Sequence, residues 1–145
     1  MSPYKQVLIA IDISDEAKQI ISKGQALAKC FQSKISIIHV VEPIVMENSY
    51  DMLNTLPLDI EDSLIKRAEE FITKIKSDFS LDAASLIKTG SVKTEIFEHV
   101  KAENIDLIVV GSHGRHGLGL LLGSTASALI HGSPCDIHVV RICEL

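Results

Sequence analysis

Five of the chain's eight glycines fall at Gly111, Gly114, Gly117, Gly119 and Gly123. They follow the β-branched run Ile108-Val109-Val110 and precede Ser124-Thr125-Ala126-Ser127, a small-residue segment able to start a helix. Glycine weakens regular structure and is useful where the backbone takes positive φ or approaches a guest closely. The chemistry this suggests is anion binding, since the N–H groups of a glycine loop and of a helix start point outward as donors. His113 and His116 stand three apart in the same stretch, but no third ligand of matching spacing accompanies them, so they read as turn residues rather than a metal pair.

Other nucleotide and hydrolase signatures are missing. There is no Gly-x4-Gly-Lys-Ser/Thr, which excludes the loop whose lysine reaches the β- and γ-phosphates. The dinucleotide fingerprint Gly-x-Gly-x-x-Gly does not follow the first strand pattern, and Gly117-x-Gly119 comes far later. No Gly-x-Ser-x-Gly elbow is present, and no nucleophile stands beside a paired acid and base.

Composition narrows the setting. At 145 residues the chain fits one domain over 1–145, able to bury about two thirds of the surface its unfolded form exposes. With 46% hydrophobic, 23% charged and 4% aromatic residues, the core is built from Ile, Val, Leu and Ala, which suits a parallel sheet covered by helices. A net charge of −5 argues against sequence-independent nucleic-acid binding, which depends on a basic face. Cys30, Cys135 and Cys143 form no Cys-x-x-Cys pair and no even framework, as expected in a reducing cytoplasm. No apolar run reaches the roughly 20 residues of a membrane span, and Met1 to Lys5 runs straight into a strand pattern, so a cytoplasmic protein is expected.

The elements that must position the glycine stretch alternate regularly. Val7–Ile11 reads as a first strand with Asp12 at its end. Ser14 is placed to cap a helix whose face is Ile20, Ile21, Gly24, Leu27, Ala28 and Phe31. Ile35–Val41 is a second strand, ended by Glu42-Pro43, with His39 packing near its end. Residues 42–57 lack a period and read as a variable loop. From Leu58 to about Phe79 the spacing of Ile60, Leu64, Ala68, Phe71, Ile75 and Phe79 predicts a long helix. Ala83–Thr89 is a third strand before Gly90, and Val92, Ile96 and Val100 mark a third helix. Asn104 and Asp106 bracket the turn into a fourth strand, Leu107–Val110. After the glycines come a helix from Ser124 to Ile130, the breaker Gly132-Ser133-Pro134, Cys135 as a small buried residue, and a fifth strand, Ile137–Ile142.

Strands alternating with helices imply an α/β fold, a parallel sheet with right-handed crossovers and helices on both faces. Ligands bind such sheets at the C-terminal strand ends where strand order reverses. Asp12 and Gly111 both occupy such ends, and face one crevice if the first and fourth strands are neighbours.

These residues resemble the universal stress protein family over nearly the whole chain. Tyr4 to Ser14 is similar to the family opening, and Ile38-His39-Val40-Val41 to its second strand. Gly111-x2-Gly114 and Gly123-Ser124 match both ends of the pattern Gly-x2-Gly-x9-Gly-Ser/Thr found in members that bind ATP. Here eight residues, Arg115 to Leu122, stand where the pattern has nine. The resemblance implies a Rossmann-like five-stranded sheet of order 3-2-1-4-5.

It also implies an adenine-nucleotide site made by Ala10, Ile11, Asp12, Val40, Val110, Gly111, His113, Gly114, Arg115, Gly123, Ser124 and Thr125, with no catalytic residue. Within it Asp12 would meet the ribose hydroxyls, Val40 the adenine, Gly111 and Gly114 the ribose and phosphates, and Gly123 and Ser124 the end of the phosphate chain. Arg115 is the one fixed cation inside the loop, so ATP calls for Mg2+ or Mn2+ to offset its charge whereas AMP does not. The shortened loop leaves ATP and AMP both open. The expected role is a non-catalytic cytoplasmic sensor that forms a homodimer through the apolar fifth strand, with Ile137, Val139 and Arg141 at the interface. The alternatives are a slow ATP hydrolase or nucleotide transferase using Asp12 and a bound metal, and a ligand-free dimeric scaffold.

Overall fold

Asp106 ties the start of the chain to its last third. Its Oδ2 accepts the backbone N–H groups of Lys5 at 2.7 Å and Gln6 at 2.9 Å, while its own N–H donates to the Gln6 carbonyl at 3.0 Å. These bonds set strand β1 (Gln6–Ala10) beside strand β4 (Leu107–Gly111) in parallel, with Val7 opposite Leu107 and Ile9 opposite Val109. The computed structural model describes residues 2–43, 57–113 and 122–143, with 57 and 58 described by backbone alone. The predicted loop over 42–57 therefore lies almost wholly outside the described residues.

Strand β2 (Lys34–Val41) pairs with the other side of β1, strand β3 (Ala84–Thr89) lies outside β2, and strand β5 (Asp136–Val140) lies outside β4. The sheet is parallel throughout, in the order β3-β2-β1-β4-β5. This is the expected topology. Side chains alternate across it, so the unbroken apolar runs of β1 and β4 feed two cores at once. Val7, Ile9, Ile37 and Val109 meet Ile20, Ile21 and Ala28 of helix α1 (Ala17–Phe31) and Ile72 and Ile75 of helix α2 (Pro57–Asp78). Leu8, Ala10, Ile38 and Val110 meet Ile96 and Val100 of helix α3 (Val92–Glu103) and Ala126 and Leu129 of helix α4 (Ser124–Ile130).

Several boundaries and contacts correct the sequence expectations. Ser14 does not cap α1 with its hydroxyl. That hydroxyl donates to Asp12 Oδ1 at 2.6 Å, a charged acceptor two residues away, and the helix begins at Ala17. Short bonds from Ala17 N–H to the Ser14 carbonyl and from Lys18 N–H to the Asp15 carbonyl serve the first amides instead. The expected face of α2 omits Ile72, which is buried, and Phe79 stands just past the helix end while still packing on the core. Cys135 is half-buried rather than buried, and burial raises its thiol above the ordinary range. The ladder of β5 stops at Val140, two residues short of the predicted end. Asn104 does end α3, in the left-handed conformation at φ 53°.

Gly24 marks where α1 lies against the sheet. A Cβ there would stand 2.5 Å from Ile9 Cδ1 and 2.9 Å from Ile9 Cγ1, and Ile9 is fully buried. Alanine is favoured over glycine in a helix by about 1 kcal/mol, whereas overpacking a closed core costs about 1–3 kcal/mol. Gly24→Ala is therefore expected to lower the urea midpoint. Adding Ile9→Val, which deletes the obstructing Cδ1, restores part of the loss, and a double-mutant cycle in which the two changes simply add would refute this packing argument.

Candidate functional site

Where the strand order turns from β1 to β4, the two connections leave toward opposite faces of the sheet and a cavity of about 480 Å³ opens over the strand ends. The end of β1 supplies Ala10, then Ile11, Asp12 and Ile13 beyond it. The end of β2 supplies Ile38 to Val41, followed by Glu42. From β4 come Val110 and Gly111, with His113 after them, and across from these stand Gly123 and the first turn of α4, Ser124 to Ala126. Ile20 of α1, Leu64 and Arg67 of α2, and Val92 and Ile96 of α3 complete the wall.

Of the twelve residues expected at the nucleotide site, Ala10, Ile11, Asp12, Val40, Val110, Gly111, His113, Gly123, Ser124 and Thr125 line this one cavity. Gly114 and Arg115 lie outside the described residues, as does His116. Among the dimer candidates, Ile137 and Val139 are half-buried against the α3–α4 side of the sheet, and Arg141 is exposed.

Two polar side chains of the cavity, Asp12 and His39, are held by hydrogen bonds to their neighbours. Asp12 is half-buried and takes the Ser14 hydroxyl on Oδ1, which fixes the carboxylate and leaves Oδ2 with no partner among the described residues. His39 Nδ1 lies 2.8 Å from the Ile11 carbonyl. A carbonyl only accepts, so Nδ1 carries the proton and Nε2 is the free ring nitrogen. The imidazole thereby pins the residue just before Asp12 to the end of β2, a role that spacing alone did not suggest. His113 Nδ1 is buried and has no hydrogen-bond partner among the described residues. Such atoms are uncommon in folded proteins and call for an explanation.

Arg67 is the residue that sequence reasoning missed most clearly. It lies on the charged face of α2, which reads as solvated, yet it is the one lysine or arginine among the described residues lining the cavity. Asp12 and Glu42 oppose it with two carboxylates. Among the described residues no group of three His, Cys, Asp or Glu side chains can hold a metal ion. Nor is any serine, threonine or cysteine there hydrogen-bonded to a histidine. No helix among them is long and apolar enough to cross a membrane.

Comparison with known proteins agrees with this architecture. The model of the universal stress protein family matches residues 3–141. Universal stress protein A homolog 2 of Coxiella burnetii is 35% identical over 146 residues, covering 98% of each chain. The solved structure of UspA from Lactobacillus plantarum superposes with a TM-score of 0.83 at 23% identity, over 95% of this chain and 98% of that one. A universal stress protein in complex with cAMP gives 0.69 at 22% identity, over 98% and 100%. A family protein of Arabidopsis thaliana with AMP bound gives 0.61 at 20%, over 96% and 92%.

Replacing His39 by leucine keeps a side chain of similar volume but leaves the Ile11 carbonyl without its donor. A hydrogen bond of this kind contributes about 1 kcal/mol, so His39→Leu is expected to lower unfolding free energy by that order in urea titration. No change would mean that the imidazole only fills space.

Proposed function

The chain belongs to the universal stress protein family, and we propose that its crevice binds an adenine nucleotide as a non-catalytic sensor in the cytoplasm. The observation that carries this reading is the convergence of ten resemblance-derived residues from three strand ends and one helix start on a single cavity. Two neighbours in fold are described with AMP and with cAMP, which supports the same ligand class.

In this reading the base lies toward Val40 and Val41 and the phosphate toward Gly111, Gly123 and Ser124. The free oxygen of Asp12 accepts from the ribose, and a ligand group provides the partner that His113 Nδ1 lacks. Arg67 stands on the wall with Leu64 and Glu42, on the base side. With two carboxylates against one cation in the described wall, AMP enters on charge grounds more readily than metal-free ATP. A divalent cation accompanying ATP would arrive on its phosphates, because the described residues offer no cluster to hold one.

Self-association through β5 completes the proposal. That strand is the last in the sheet, and an exposed edge carries N–H and C=O groups that a second copy can pair. Since Ile137 and Val139 already pack inward, the interface draws on the backbone of β5 and on exposed groups such as Arg141.

Ligand that binds only the folded state at a hundred times its dissociation constant stabilises by about 2.7 kcal/mol, so AMP or ATP in millimolar excess is expected to raise the melting temperature by several degrees. If neither does, and no nucleotide is released on denaturing the purified protein, the scaffold reading replaces this one. Asp12→Asn preserves the size of the side chain while removing its charge. Hydrogen bonds to a charged group contribute about 1.5–3 kcal/mol, so this variant is expected to bind AMP roughly tenfold to a hundredfold more weakly by calorimetry while retaining the fold, since the amide oxygen still accepts the Ser14 hydroxyl.

A further inference from the structure

Ser112 is the one buried polar residue among the described residues, and its backbone and side chain are engaged on three sides. Its N–H donates to the Val140 carbonyl at 2.8 Å, carrying the β4–β5 ladder one residue past the Gly111–Val140 pair. In a regular parallel ladder the next bond would run from the Ile142 N–H to the Ser112 carbonyl. That carbonyl instead accepts the Gly123 N–H at 2.6 Å, which draws the far end of the glycine stretch back onto its near end. The Ile142 N–H is met by Ser112 Oγ at 2.9 Å. One hydroxyl oxygen thus stands in for a backbone carbonyl, and the replacement lets a single residue close the loop and hold the edge strand together.

The tail is latched a second time from α1. Cys143 donates its N–H to Gln19 Oε1 at 3.1 Å and accepts from Gln19 Nε2 on its carbonyl at 3.0 Å. Ile20, next to Gln19, lines the cavity and lies against Gly111, where a Cβ would stand 2.7 Å from its Cδ1. The tail after β5 is therefore fastened to the rim of the crevice rather than merely lying near it.

From these bonds we infer that Ser112 is a positioning residue that couples occupancy of the crevice to the segment Val140–Cys143 at the end of the edge strand. The inference rests on the nucleotide reading of the crevice. A ligand seated against Gly111, His113 and Gly123 restrains the loop closure at the Ser112 carbonyl, and the hydroxyl passes that restraint to the Ile142 amide. Ordering alone can carry such a link, without a change of average shape. The link is reciprocal, so whatever holds the tail still raises ligand affinity by the same factor that the ligand steadies the tail. The crevice gains an output at the sheet edge by this route, since β5 is one of the two edge strands and carries backbone groups open to pairing.

Hydrogen–deuterium exchange with and without saturating AMP tests the coupling, using the full chain and its Ser112→Ala and Ser112→Thr variants. In the unaltered protein, AMP is expected to slow exchange at the Ile142 and Cys143 amides about fivefold or more, the lower range of measured couplings. Ser112→Ala is expected to bind AMP about fivefold more weakly and to lose the tail response, while Ser112→Thr, which keeps the hydroxyl, restores both. Equal slowing of the tail in Ser112→Ala and the unaltered protein overturns the inference, and so does bound AMP that leaves tail exchange untouched. Should Ser112→Ala fail to fold, Gln19→Leu decides: faster basal exchange at Cys143 with the Ile142 response intact supports the route through Ser112, and loss of the Ile142 response assigns it to α1 instead. Absence of AMP and ATP binding to the unaltered protein, measured by calorimetry, overturns the nucleotide reading as well, and is thereby distinct from binding without a tail response.

Discussion

The pairing of β1 with β4 is the contact on which the rest of the structure depends. The two strands are separated by about a hundred residues of chain, yet Val7, Leu8 and Ile9 lie directly beside Leu107, Ile108 and Val109 at the centre of the sheet. Each strand is apolar on both faces, so it can rest only where helices cover both sides. Asp106 adds direction to this general demand by taking two amides from the start of β1 on one carboxylate oxygen. Once these strands are neighbours, β2 and β5 fall to either side, and the connections after β1 and β4 must part. The crevice is a consequence of that parting.

A site made this way is built chiefly from backbone ends and small apolar side chains, with few charges. Asp12, Glu42 and Arg67 are the charged groups among its described lining residues, and Asp12 and His39 are each fixed by a neighbour's hydrogen bond. Such a lining offers a flat base, a diol and a phosphate complementary shape and hydrogen-bonding groups. This accords with the sensor reading. It also explains why Ser112 matters: through its bonds the rim of the crevice is fastened to the sheet edge.

The order of elements could be read from local pattern because each element advertises itself within a few residues. Apolar runs of strand length at Val7–Ile11 and Leu107–Val110, three-and-four spacing in α1 and α2, and the glycines from Gly111 onward all act over short range. The ends proved harder. Ser14 is a good capping residue by type, but Asp12 lies closer and carries charge, so the hydroxyl goes there. The predicted fifth strand overran by two residues because Ile142 bonds to a side chain rather than to a ladder carbonyl.

Residue types and their spacing were enough for the fold class, while the strand order and the ten expected residues that line the crevice came through the family resemblance, because strand ends and glycine turns are marked by short local patterns. Three features waited for the folded chain: Arg67 over the cavity, the His39 bond to Ile11, and the double use of Ser112. For His39 and Ser112 the partner lies on another element, and the choice among several possible partners is settled only when the sheet brings them within hydrogen-bonding distance. Periodicity states which face of a helix is apolar, whereas which charged residue on the opposite face overhangs a crevice depends on where that helix crosses the sheet.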